Sequence, residues 1–266
     1  MSWFVKEIEI GTIQESEFFR LLLLIKMVRD MIQNIAEKIA DADMVLIGIG
    51  EEFEIKNSEK DNGEGEKAFL KRKQAYCRLE EVIKNKNYFI VTLCMDGIIY
   101  EADFDKKRIV EPCGSFYRLQ CSGKCTSDIY EPDKNQTMKI QEFLKGKCEE
   151  KDIILPHCPK CGAPLAFNTI QTENYAEEGY LDMWQLYNKW LQGTVNKKLC
   201  ILELGVGMRF PTVIRWPFEK VVYFNRKSTL FRVHSKLYQT TEEIKERSVG
   251  IQSDPMEFLK ELSNQI

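Results

Sequence analysis

The sequence predicts an α/β fold in which a parallel sheet carries helices on both faces. Three observations carry that expectation: short, continuously apolar runs alternate with helical periodicities, two of those runs close on Gly-x-Gly, and one cysteine-rich stretch interrupts the alternation. Continuous apolar runs suit strands buried on both sides, which is the environment of a parallel sheet rather than of a half-exposed antiparallel one.

Taken in order, residues 15–40 place Phe18, Leu22, Ile25, Val28, Ile32, Ile35 and Ile39 at steps of three and four, the pattern of a long amphipathic helix. "DMVLIGIG" (43–50) reads as a strand running into glycines, and "NSEKDNGEGE" (57–66) as a polar, mobile loop. A helix over 67–84 and a strand over 88–94 follow. After the cysteine-rich stretch come a helix at 178–195, a strand at 198–207 and further strands at "KVVYFN" (220–225) and "SVGIQ" (248–252). A final helix spans 255–262. The alternation gives a Rossmann-like main domain from 1–115 and 165–266, with 116–164 as a small inserted module.

Composition narrows the function. The chain of 266 residues has 38 basic and 41 acidic residues and a net charge of −3, with no long basic block, which argues against nucleic acid as partner. Its longest aliphatic run, Leu21 to Ile25, is far below the roughly 20 residues that cross a bilayer. Lys6, Glu7 and Glu9 make the first residues a poor secretion signal. The expectation is a soluble cytoplasmic protein without membrane contact, whose nine cysteines stay reduced.

Reduced cysteines in close pairs read as metal ligands. Cys121 and Cys125 form one pair, Cys158 and Cys161 the other, with 32 residues between them. Four thiolates at the corners of a tetrahedron suit zinc and leave no position open for a substrate, so the expected metal is structural. His157 beside Cys158 reads as a surface residue, because the ligand set is complete without it.

Two strands end in glycine turns, Gly48-Ile49-Gly50 and Gly205-Val206-Gly207. In open parallel sheets ligands bind at the carboxyl ends of strands, where glycines let backbone approach a pyrophosphate. Together with an Asn225 expected at a strand end, where it would bind ribose hydroxyls, these turns point to a dinucleotide. Glu51 and Glu52 follow Gly50 directly, where their carboxylates would compete with a phosphate.

In this order, the segments resemble the sirtuin family of NAD-dependent protein deacylases and ADP-ribosyltransferases, over about residues 36–263. "ADADMVLIGIG" is similar to the family's first strand and glycine turn. "VTLCMDG" (91–97) falls where the family reads Thr-Gln-Asn-Ile-Asp-Gly, and "EPCGS" (111–115) falls on its Glu-Leu-His-Gly-Ser. The cysteine pairs match its zinc module, "LGVG" with Pro211 its second glycine turn, and "YFN" its ribose-binding asparagine. "ELGVG", "YRLQC" and "CPKCGAPL" look closest to the subclass found beside macrodomain genes in bacteria, which is associated with ADP-ribosylation of a lipoyl-carrier protein.

The resemblance implies NAD and zinc as cofactors, a protein as substrate or partner, and Asp96 holding the nicotinamide end. It also marks departures. The family's glutamine and asparagine of the nicotinamide pocket are Leu93 and Cys94 here, its histidine base is Cys113, and the Phe-Arg element after the first turn is absent. An unperturbed thiol titrates near 8.5, too high for a good base at neutral pH, although a thiolate could serve as a nucleophile. Two readings stay open: an NAD-dependent protein ADP-ribosyltransferase or deacylase with Asp96, Cys113 and Cys94 as catalytic candidates, and an inactive relative that binds NAD, ADP-ribose or a modified peptide.

Overall fold

A computed structural model describes residues 15–265. Its centre is a parallel sheet of six strands in the order β3-β2-β1-β6-β7-β8. The strands are β1 (Met44–Ile49), β2 (Asn87–Thr92), β3 (Ile109–Val110), β6 (Leu199–Leu204), β7 (Ser228–His234) and β8 (Ser248–Gln252). Every residue of β1 and β6 is buried, which explains why both are apolar except at Glu203 of β6. Alternate residues serve opposite faces: Val45, Ile47 and Ile49 join one core, Met44 and Leu46 the other.

The first core packs the sheet against α1 (Glu15–Asp41), α3 (Gly65–Ile83) and α7 (Pro255–Ser263). The second packs it against α5 (Glu178–Gln192) and α6 (Arg215–Phe224). Ile32, Ile35 and Ile39 of α1 are buried as the periodicity predicts, whereas Leu22 and Val28 are exposed; the side chains of Phe18 and Ile25 lie outside the described residues. The segment 57–66, expected as a loop, forms the short helix α2 (Asn57–Asp61) and the start of α3. Arg72 of α3 holds it in place by pairing with Glu59 and donating to the carbonyls of Phe53 and Glu54. No helix among the described residues is long and apolar enough to cross a membrane.

A two-stranded antiparallel sheet, β4 (Gly114–Cys121) with β5 (Leu165–Thr169), stands beside the main sheet. Between its strands lie α4 (Lys134–Leu144) and the cysteine turns. Asp133 caps α4 by accepting from the Gln136 amide, and the Gln136 side chain accepts from the Asp133 amide in return. Leu119, Ile140, Leu144, Leu165 and Phe167 are buried and continuous with the first core of the main sheet.

One expected strand is corrected. Residues 220–225 end α6, and the strand is the following segment, Ser228–His234. "KVVYFN" looks extended because it is apolar, yet Phe218 and Val222 lie four apart on the buried side while Tyr223 and Phe224 are exposed. The true strand carries a buried Arg232, neutralised by Glu203 of the neighbouring strand at 2.5 Å and by Glu219 at 2.7 Å. That charge hid it from a hydrophobicity reading.

Candidate functional site

The chain order of the sheet reverses between β1 and β6, which makes their carboxyl ends the switch point where ligands of such sheets bind. The register sets Ile49 beside Leu204 and Leu204 beside Val233, so Gly50, Gly205 and His234 emerge at one level. Ile49 is also level with Thr92, which brings Leu93 to Gly97 to the same edge.

At this edge the glycines serve the protein's own packing. A Cβ on Gly50 would stand 2.3 Å from the Val206 Cα and 2.4 Å from the Gly205 carbonyl, so the two turns touch backbone to backbone. Gly205 has a φ of +65° and a Cβ there would meet the Glu52 Cβ at 2.6 Å. Gly48 lies within β1, where a side chain would strike Ile214 and Phe218 and lift α6 off the sheet.

Beyond Gly50 a short 3-10 turn, Glu51–Phe53, sends carboxylates across the strand ends. Glu51 accepts from the backbone N–H of Gly207 at 2.7 Å and of Arg209 at 3.1 Å. Glu52 accepts from the Ser235 amide and hydroxyl just past β7. Glu54 accepts from the Arg209 guanidinium at 3.0 Å, while its other oxygen is buried and without a partner. Burial, opposed by Arg209 and aided by Asp96 and Glu51, pushes the Glu54 carboxyl up to about 7.

Asp96 lies deeper, 5% exposed. One of its oxygens accepts from the Ile98 amide; the other is buried and unpartnered. Desolvation pushes this carboxyl up to about 6, although the Ile98 amide, the Arg72 cation, the nearby Ile55 amide and Lys60 pull it back down. Gly97, at φ +65°, turns the chain so closely over Tyr117 that a Cβ would lie 2.4 Å from the ring.

The two thiols of the site are equally enclosed. Cys94 is buried and donates its S–H to the Gly50 carbonyl at 3.4 Å; burial raises its pKa further from neutrality. Cys113 is 2% exposed and pushed up to about 12, first by burial and then by Glu54 and Glu51, against the pull of Arg209. Neither is a thiolate at neutral pH, so neither has the state a nucleophile or base requires. Behind Cys113, the fully buried Glu111 accepts from Tyr100 at 2.7 Å and from Arg118, holding the turn rigid.

Asn225 does not belong to this edge. It caps the carboxyl end of α6 and donates to the Thr194 and Lys197 carbonyls at 3.0 and 3.1 Å, beside the amino ends of β6 and β7. The expected ribose ligand is a structural tie on the far side of the sheet. The strand end is occupied instead by His234 and Ser235. Buried His234 accepts from the Lys236 and Leu237 amides at Nδ1 and its pKa is lowered by burial, so its 3.4 Å approach to Glu52 joins a neutral ring to a carboxylate. Glu54, Arg209, His234 and Ser235 went unnoticed in the sequence; the aromatic and β-branched residues of "STLFRVH" were the available signal for a strand ending at His234.

The four cysteines converge at the open end of the small sheet. Their sulfurs lie within 4.8 Å of one another, with 3.5 Å between Cys121 and Cys161 and 3.6 Å between Cys125 and Cys158. Tetrahedral zinc with bonds of about 2.3 Å sets its sulfurs roughly 3.8 Å apart, so the cluster could hold that ion. Lys124 and Gly162 take positive φ to turn each knuckle. Amides of Cys161 and Lys160 aimed at Cys158 pull its thiol down to about 6, toward the ligating form. His157 is exposed and outside the cluster.

No family model matches the chain. It is 26% identical over 185 residues to a protein ADP-ribosyltransferase of Staphylococcus aureus (strain Mu50 / ATCC 700699), covering 68% of this chain and 58% of that protein. It is 28% identical over 139 residues to a probable bifunctional ADP-ribose hydrolase/ADP-ribosyltransferase of Fusarium oxysporum f. sp. cubense, covering 50% of this chain and 23% of that protein. The chain thus spans less than two thirds of the length of either relative.

Proposed function

We propose that this chain is an NAD-dependent protein ADP-ribosyltransferase of sirtuin-like architecture, its small inserted module, 116–164, stapled by a structural zinc on Cys121, Cys125, Cys158 and Cys161. The two relatives support the reaction class, and the cysteine geometry supports the metal. The observation that carries the reading is Asp96: a deeply buried carboxyl at the carboxyl edge of a parallel sheet, one of whose oxygens lacks a well-formed hydrogen bond although the Ile55 amide lies near the group. Such an orphan costs about 1–3 kcal/mol unless a ligand supplies the missing hydrogen bond. The carboxamide N–H of a nicotinamide is a donor of the right kind.

NAD would supply an ADP-ribosyl group with nicotinamide as the leaving group. Asp96 would orient the carboxamide, and Leu93, Met95 and Cys113, all buried, would keep water from that end. An acceptor side chain that attacks must lose a proton. Cys113 is unfit to take it, whereas Glu54, with a free oxygen and a carboxyl at about 7, is suited to the task. The acceptor would be a protein side chain, with a lipoyl-carrier protein the first to try.

A second reading, binding without turnover, is favoured by the two inert thiols at the pocket. One experiment separates them. Zinc-loaded protein is incubated with NAD and candidate acceptors, lipoylated carrier protein among them, and free nicotinamide and ADP-ribosylated protein are measured. Turnover that falls roughly 100-fold in Asp96→Asn supports transfer. Saturable ADP-ribose binding with no nicotinamide released by any acceptor supports the second reading.

A further inference from the structure

The dinucleotide reading fits the Asp96 end of the cleft better than the glycine end. A phosphate at the switch point would be held by backbone N–H groups of the turns. In this chain the amides of Gly207 and Arg209 already point at one acceptor, the Glu51 carboxylate, at 2.7 and 3.1 Å. Its two oxygens take one amide each, the arrangement two phosphate oxygens would adopt. A Cβ on Gly207 would stand 3.1 Å from a Glu51 oxygen, so the space a ligand would use over this glycine is filled by that side chain.

The neighbouring glutamates reinforce the contact. Glu54 holds the Arg209 side chain while Glu51 holds its amide, and Glu52 holds Ser235 beyond the next strand. The segment Glu51–Glu54 therefore ties the loops after β6 and β7 to the end of β1 with three carboxylates. Of the cations at this edge, Arg209 has its guanidinium engaged by Glu54, and Arg215 donates to the Val206, Leu237 and Gln239 carbonyls.

We infer that Glu51 is an internal occupant of the diphosphate subsite: a carboxylate standing in for a ligand phosphate, which a nucleoside diphosphate must displace before it can bind. The inference rests on the nucleotide reading given under Proposed function. Two consequences follow from the chemistry. Ligands with a diphosphate are penalised relative to ligands without one, because they must break two charge-assisted hydrogen bonds and then lie beside the displaced charge. Removing the carboxylate should therefore strengthen binding, the reverse of the usual result of deleting a polar side chain from a site.

Calorimetric titration of the full chain and of Glu51→Gln and Glu51→Ala with ADP-ribose, and with adenosine as the phosphate-free probe, tests this. Both variants should bind ADP-ribose about 10- to 100-fold more tightly than wild type, the range set by a hydrogen bond to a charged group, with adenosine affinity unchanged. In ¹⁵N-labelled Glu51→Gln the amide signals of Gly207 and Arg209 should move on adding ADP-ribose, and the remaining spectrum reports that the variant is folded. Wild type that binds ADP-ribose as well as both folded variants overturns the inference and leaves the transferase proposal standing. Tightened binding in the variants, with no nicotinamide release by wild type, sustains the inference and sinks the transferase. If no form binds ADP-ribose, both are wrong.

Discussion

The cysteine cluster and the glycine edge of the sheet are both assembled from turns that gather ligand-type groups, yet they end in opposite states. At the knuckles four sulfurs stand within 4.8 Å, and amides drive Cys158 toward thiolate. Four sulfurs at that spacing could hold a zinc ion, which would neutralise them. At the strand ends the Gly207 and Arg209 amides are satisfied from within by Glu51, and the Ser235 amide past β7 by Glu52. Spacing decides which groups meet. Whether they stay available depends on what else the fold delivers to the same place.

Removing metal gives the largest way to break that contrast. Elemental analysis of protein purified without chelator should find one zinc per chain. Stripping it should lower Tm by roughly 10 °C or more, since structural zinc sustains small folds by many kcal/mol and a chain of this size shifts about 2–4 °C per kcal/mol. Thiol labelling should then rise from the partly exposed Cys77 and Cys148 to include the four ligands, with Cys94 and Cys113 silent until global unfolding. Protein free of zinc yet equally stable would erase the difference between the two regions.

A smaller effect is expected at Gly50. Alanine there must push against the Val206 and Gly205 backbone, a clash worth about 1–3 kcal/mol. The loss in Tm should be the same with and without ADP-ribose, because the glycine serves contact between turns. Normal stability with lost ligand binding would return Gly50 to the role its motif suggested.

Finest of the three is the pH dependence of the cleft. Glu54 is raised from 4.5 to about 7 and Asp96 from 3.8 to about 6, both chiefly by burial. A carboxyl whose folded value lies above its unfolded one is favoured by folding while protonated. Its contribution is therefore full below about 4 and is lost as pH rises through 6 to 7. Arg209, Glu51, Asp96 and Cys113 face Glu54, and of these Arg209 opposes the shift. Denaturant melts of Glu54→Gln between pH 5 and 8 should lose part of this decline, roughly 2 kcal/mol at most. An unchanged slope would show that the cleft carboxylates are hydrated rather than enclosed.

Much of the fold was legible because burial on both faces writes an unmistakable signature. β1, β6 and the helix at 178–192 follow their sequence patterns, and the cysteine spacing anticipated the cluster. Legibility failed where two periodicities compete or a charge is hidden. "KVVYFN" satisfied the strand template while packing as a helix, and Arg232 obscured the real strand because its counter-charges, Glu203 and Glu219, lie 29 and 13 residues away in the chain. Misplacing that strand carried Asn225 to the wrong end of the sheet.

The sequence by itself determined the α/β class, the four converging cysteines and the presence of glycine turns at strand ends, because each follows from local spacing and from which residues water rejects. Only the tertiary structure decided that Glu51 covers the Gly207 and Arg209 amides, that Cys113 and Cys94 are sealed as neutral thiols, and that Glu54 and Asp96 each keep a free buried oxygen. Hydrogen-bond partners and desolvation depend on groups brought together from distant parts of the chain. Glu51 and Gly207 are 156 residues apart in sequence and 2.7 Å apart in space.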